Sequence, residues 1–119
     1  MAWTVCFHDD FEPEFDRLPA GVQDEVLARA KVLAQLGPTL GRPFVDTLAG
    51  SKHANMKELR FDAGGGVWRV AFAFDPTRSA IVLVAGDKHG VSQGRFYKAL
   101  IERADQRFDR HLAALKRND

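Results

Sequence analysis

Residues 56–88 constrain the fold more than any other stretch of this chain. "MKELRFDAGGGVWRVAFAF" joins two runs of strand-like residues through three glycines, and "DPTR" then leads into "SAIVLVAGDK". Such runs mark strands, and tight turns between consecutive strands make them antiparallel. Three strands are expected, at about 56–62, 67–75 and 80–88. The third is apolar on both faces, with Ile81, Leu83 and Ala85 against Val82 and Val84, which places it inside the sheet. Gly64, Gly65 and Gly66 suit a turn that needs positive φ. Lacking a following Lys-Ser/Thr, they do not form a phosphate-binding P-loop.

Side chains alternate along a strand, which sorts the hairpin into two faces. Leu59 and Phe61 fall with Trp68, Val70, Phe72 and Phe74; Met56, Glu58 and Arg60 fall with Val67, Arg69, Ala71 and Ala73. The large apolar side chains must meet the helices. Arg60 and Arg69 then project from the opposite face over small alanines, as a shallow positive floor rather than a second core. A wet sheet face on which Glu58 and Asp62 hold the two arginines fits the same pattern.

The flanking segments supply the helices. "AWTVCFH" at 2–8 alternates as a half-buried strand. Asp9 or Asp10 can cap a short helix to about Arg17. Pro19 opens a second helix with an inward face of Val22, Val26, Ala30 and Leu33, ended by Gly37-Pro38. Residues 38–55 have no period and read as a long loop, uncommon in a compact domain unless it serves a function. Ser92 can cap a last helix to about Lys116, striped by Phe96, Leu100, Ala104, Phe108, Leu112 and Leu115. The expected order is β-α-α-β-β-β-α, an α+β fold with a mainly antiparallel four-stranded sheet and the first two helices on one face. A chain of 119 residues with 45% hydrophobic composition suits one domain over 1–119 with one core.

Charge and composition narrow the function. Residues 1–50 carry four Lys/Arg and eight Asp/Glu; residues 51–119 carry thirteen and eight. That separation suits a positive surface for a polyanion, although two solvated helices would produce it as well. The run at 80–86 is far too short to cross a bilayer, and the N-terminus does not read as a signal peptide. Cys6 is the only cysteine, so no intramolecular disulfide can form. Together these features predict an intracellular protein. Neither the four histidines nor Cys6 falls in a metal-ligating spacing, so no metal is expected.

Several residues suit a site for a phosphate-bearing polyanion. Arg60 and Arg69 can each grip two phosphate oxygens through a permanently charged fork. Lys88, ending the third hairpin-region strand, can add a third charge. Tyr97, the only tyrosine, sits early in the last helix. Beside cations its pKa would fall towards a range useful for proton transfer. Stacking on a base, or packing beside Phe96, are the other uses open to it. His89, between Lys88 and a glycine, is an acid–base candidate or an exposed loop histidine. His53 lies in a loop that can fold over the site.

Taken in order, "MKELR", "WRVAFAF", "AIVLVAGDK" and "FYKALIERADQRFDRHL" resemble the RelE/ParE superfamily of type II toxin–antitoxin toxins, in its HigB-like, phage-derived branch. The resemblance covers nearly the whole chain, including "GRPFVDTLAGSKHANMKELR". It implies a RelE-like fold and a cytoplasmic toxin that enters the ribosomal A site and cuts mRNA without a cofactor, inhibiting translation. It also implies a cognate helix-turn-helix antitoxin that keeps the toxin inactive. Carried onto this chain, the catalytic positions are Arg60, Arg69, Lys88 and Tyr97. Glu58 joins His89 as a possible acid or base, and Lys57, Arg95 and Lys98 are the RNA-binding candidates. Sibling toxins on the same fold bind DNA gyrase and lack a complete nuclease set, and a relic that binds only an antitoxin fits the pattern too. The fold therefore does not settle the activity.

Overall fold

The computed structural model describes residues 2–118. In chain order it contains β1 (Thr4–Phe7), α1 (Phe11–Asp16), α2 (Ala20–Leu36), a 3-10 turn (Gly37–Thr39), β2 (Val45–Thr47), β3 (Met56–Ala63), β4 (Gly66–Phe74), β5 (Ser79–Asp87) and α3 (Gln93–Arg117). The strands form one sheet in the order β1-β5-β4-β3-β2. All neighbours are antiparallel except β1, which runs parallel to the first half of β5 from Thr4↔Ser79 to Phe7↔Val82. The sheet thus has five strands where four were expected. The additional strand, β2, arises inside the stretch read as loop.

The β3–β4 hairpin closes at Ala63↔Gly66, with Gly64 and Gly65 at φ +56° and +80°. Those are the two positions of a primed turn, whose twist matches the strands it joins. Gly66 does a different job. A Cβ there would come within 2.7 Å of both the Trp68 indole nitrogen and the Asp87 carboxylate.

Each sheet face carries a core. On one, Leu59, Phe61, Val70, Phe72, Phe74 and Val82 pack against Phe11 and Phe15 of α1 and Val22, Val26 and Leu33 of α2. On the other, Met56, Ala71, Ala73, Ile81 and Leu83 pack against Phe96, Leu100, Ala104 and Phe108 of α3. The expectation of an open, charged floor is corrected here. Ala71 and Ala73 are fully buried, and their small side chains let α3 seat on the sheet. Enlarging either one would cost about 1–3 kcal/mol by overpacking.

Polar ties fix α3 along its length. Arg107 grips Glu14 of α1 with two hydrogen bonds of 2.8 and 2.6 Å and donates to the Leu83 carbonyl at 2.7 Å. His111 meets Asp75 at 2.8 Å, and His53 meets Asp109 at 2.8 Å. His53 and its end of the loop before β3 therefore dock on the flank of α3, while residues 46–50 of the same stretch lie beside Arg60. Asp10 and Ser92 occupy the helix N-cap positions, but neither side chain caps. The Asp10 carboxylate pairs instead with Arg110.

Candidate active site

Arg60 and Arg69 are direct cross-strand partners. Like charges placed so are destabilising unless something separates or neutralises them. Here their side chains take different routes. Arg69, 8% exposed, lies beneath α3. Its Nε donates to the Tyr97 hydroxyl at 3.3 Å and sits 3.6 Å from Glu58 Oε1, while one terminal nitrogen donates to the Trp68 carbonyl at 2.9 Å. Arg60, 29% exposed, turns to the sheet edge. There it meets Asp46 Oδ2 at 3.4 Å, the oxygen that also faces Arg42 at 3.4 Å. Asp46 is on β2, opposite Glu58, so the short edge strand supplies the counter-charge.

Tyr97 enters from the first turns of α3. Its hydroxyl donates to Glu58 Oε1 at 2.7 Å and accepts from Arg69. Burial raises the Glu58 pKa above the ordinary carboxyl value; the Tyr97 hydrogen bond and the charges of Arg60 and Arg69 oppose this. Burial also raises the Tyr97 pKa, and the bond to Glu58 adds to the rise. The expected fall beside cations is thus reversed. At neutral pH the phenol keeps its proton and acts as a donor.

Lys88 approaches from the end of β5, with Nζ 5.9 Å from the centre of the Tyr97 ring. Its backbone N–H donates to the Val67 carbonyl at 2.9 Å, which fixes where the strand ends. Glu58, Arg60, Lys88 and Tyr97 line one open hollow of about 500 Å³, together with Asp46 and Gln93. Two cations, a carboxylate of raised basicity and a phenol donor therefore line the same hollow. Arg69 is outside that lining, and its contacts hold Glu58 and Tyr97 from beneath.

The other expected residues lie elsewhere. His89 is exposed, and its backbone N–H donates to Asp87 Oδ1. Lys57 points to the face opposite Glu58 and donates to the Thr47 hydroxyl at 2.9 Å. Arg95 and Lys98 are exposed on α3, outside the hollow's lining. Sequence reasoning did not single out Asp46, Arg42 or Gln93. Only the unusual length of the loop around Asp46 hinted at that contribution. A second hollow, of about 560 Å³, opens near His8, Asp75 and His111. Its Asp75 is committed to the β4–β5 turn, where one carboxylate oxygen accepts from the Thr77 and Ser79 backbones and the Thr77 hydroxyl. Among the described residues, no group of three or more His, Cys, Asp or Glu is gathered as a metal ion would need.

Residues 13–109 match the family described as Phage derived protein Gp49-like. Two relatives from Mycobacterium tuberculosis carry names as candidate toxins. The one named HigB2 is 49% identical over 89 residues, covering 74% of this chain. This chain spans only 44% of that relative's length. The one named HigB3 is 51% identical over 111 residues, covering 93% of this chain and 95% of its own. The fold is similar to that of an E. coli toxin RelE mutant in the free state, with a TM-score of 0.58 at 12% identity over 85% of this chain and 95% of that one.

Proposed function

The chain belongs to the phage-derived Gp49-like family, and on that premise we propose that it is the toxin of a type II toxin–antitoxin module that cuts messenger RNA. One observation carries the reading: the Glu58–Tyr97 hydrogen bond opens onto the same hollow as Arg60 and Lys88. The two relatives with toxin names support it.

Each group has a part in a transesterification. Glu58, made more basic by burial, takes the proton of a ribose 2′-hydroxyl. The freed oxygen bonds to the adjacent phosphorus and the bond to the 5′-oxygen breaks. Arg60 binds the phosphoryl oxygens as their charge grows, a role for a preorganised cation that is worth about 3–4 kcal/mol. Lys88 gives a proton to the departing 5′-oxygen. Tyr97, held protonated, and Arg69, held beneath it, keep Glu58 aimed into the hollow. The products are a 2′,3′-cyclic phosphate and a 5′-hydroxyl; solvent returns the proton to Lys88 and removes the one on Glu58.

The hollow is open and has no deep slot for a base. Positioning of the substrate then falls to a surface outside the chain, which suits RNA presented in the ribosomal A site and a toxin acting in the cytoplasm. The family likeness adds a helix-turn-helix antitoxin as partner. Inducible expression followed by mapping of transcript ends tests this reading. Growth arrest with cuts inside translated codons, both lost in Arg60→Ala, is the expected result. Growth arrest with intact transcripts and a DNA-damage response would favour a gyrase-directed toxin. Normal growth of cells making folded protein would point to an inactive relic.

A further inference from the structure

On the far side of α3 from the hollow lies an unused strand edge. β1 pairs with β5 only as far as Val82, so the second half of β5 has no outer neighbour. Lys88 donates its backbone N–H toward β4. The two-residue alternation then turns the backbone groups of Ala85 and Asp87 outward, in line with those of Leu83. The Leu83 carbonyl is taken by Arg107. Among the described residues, no side chain or loop backbone reaches the outward groups of Ala85 and Asp87.

Beside this edge runs a largely apolar groove of about 350 Å³, floored by Val84, Ala85 and Leu100 and rimmed by Arg95 and Arg103. Ala99 stands between the two arginines on the same helix row and leaves the middle of the groove low. Val91, 42% exposed, closes one end. Among the described residues neither arginine forms an ion pair. Glu14, whose carboxylate feels Arg103, is already held by Arg107.

The geometry points to a docking site for an extended, acidic–apolar segment of a partner polypeptide, which adds to β5 as a strand. An unpaired edge offers the main-chain hydrogen bonds, and the groove receives alternate apolar side chains. Arg95 and Arg103 lie eight residues apart on a helix, about 12 Å. Carboxylates four residues apart on a strand are separated by about 13 Å, so the two arginines match acidic positions i and i+4. RNA fits less well, because the lining is apolar and Phe96, the ring nearest the groove, is buried. This inference does not depend on nuclease activity.

Titration of the isotope-labelled full chain with a synthetic peptide repeating Glu-Thr-Val-Thr, which sets glutamates at i and i+4 and a valine between them on one strand face, tests it by amide NMR. The expected result is a shift of the Ala85 and Asp87 amides, with their hydrogen exchange slowed at least about tenfold. Salt weakens the response, and Arg95→Ser/Arg103→Ser abolishes it. Both arginines are exposed, and an otherwise unchanged amide spectrum of the double variant verifies its fold. The proposal is overturned by no response, by an equal response in the double variant or to the same peptide with lysine in place of glutamate, by an RNA oligonucleotide producing the shifts instead, or by the free chain self-associating through this edge.

Discussion

Tyr97 of α3 donates its phenol proton to Glu58 of β3 across 2.7 Å, and the same phenol oxygen accepts from Arg69. The hydroxyl is therefore the joint between a buried cation and a buried carboxylate. An arrangement of this kind is stable while every member is satisfied and costly when one is removed.

Tyr97→Phe deletes that joint while keeping the ring. Glu58 and Arg69 each lose a partner, and the expected destabilisation is about 1–3 kcal/mol by chemical denaturation. A double-mutant cycle with Glu58→Gln should return a coupling energy of about 1–2 kcal/mol. A coupling near zero would mean that the bond does not hold the pair.

The two arginines should separate into different phenotypes. Arg60→Ala removes a partly exposed cation and should cost less than about 1 kcal/mol of stability. It should also slow RNA cleavage by about 100-fold or more. Arg69→Ala leaves Glu58 buried without its cation and should cost about 3–5 kcal/mol. Thermal melts beside cleavage assays on folded protein check this, and equal stability losses would refute the division.

The pH dependence of stability follows from Glu58. Burial raises its folded pKa above the ordinary value of 4.5, so the neutral form is the one that folding favours. Its contribution is fully present below the unfolded value and is lost as pH rises through the folded one. The stability of the wild type relative to Glu58→Gln should therefore decline as pH rises above the ordinary value of 4.5 and through the raised folded one. Paired denaturation curves measure it, and a rising difference would reverse the assignment.

Glu14 behaves oppositely. Its hydrogen bonds to Arg107 hold its pKa below 4.5, so its contribution is present above that value and lost as pH falls through the folded one. Glu14→Gln should lower stability at neutral pH by about 1–2 kcal/mol, a figure reduced for partial exposure. The difference should vanish in strong acid. Acid titrations of both proteins by circular dichroism test this.

How far these relationships were legible depended on their range in the chain. The hairpin faces followed from alternation alone, so Glu58, Arg60 and Arg69 could be placed on one side of the sheet. The cover on that side could not be, because Ala71 and Ala73 read equally well as an open floor and as the seat of a helix. Ile81 and Leu83, set against Val82 and Val84, carried the useful sign: a strand apolar on both faces needs a cover on each. β2 escaped notice because three residues paired at an edge leave no period, and Asp46 went with it. The direction of the Tyr97 shift was misjudged because proximity to cations was weighed without burial.

The chemistry of the cut ends tests the central claim most directly. RNA cleaved by the wild-type chain should carry 5′-hydroxyls and 2′,3′-cyclic phosphates, identified by end-specific ligation. Glu58→Gln protein shown to be folded should produce about 100-fold fewer such ends. Ends bearing 5′-phosphates, or undiminished cutting by Glu58→Gln, would contradict a transesterification driven from this hollow.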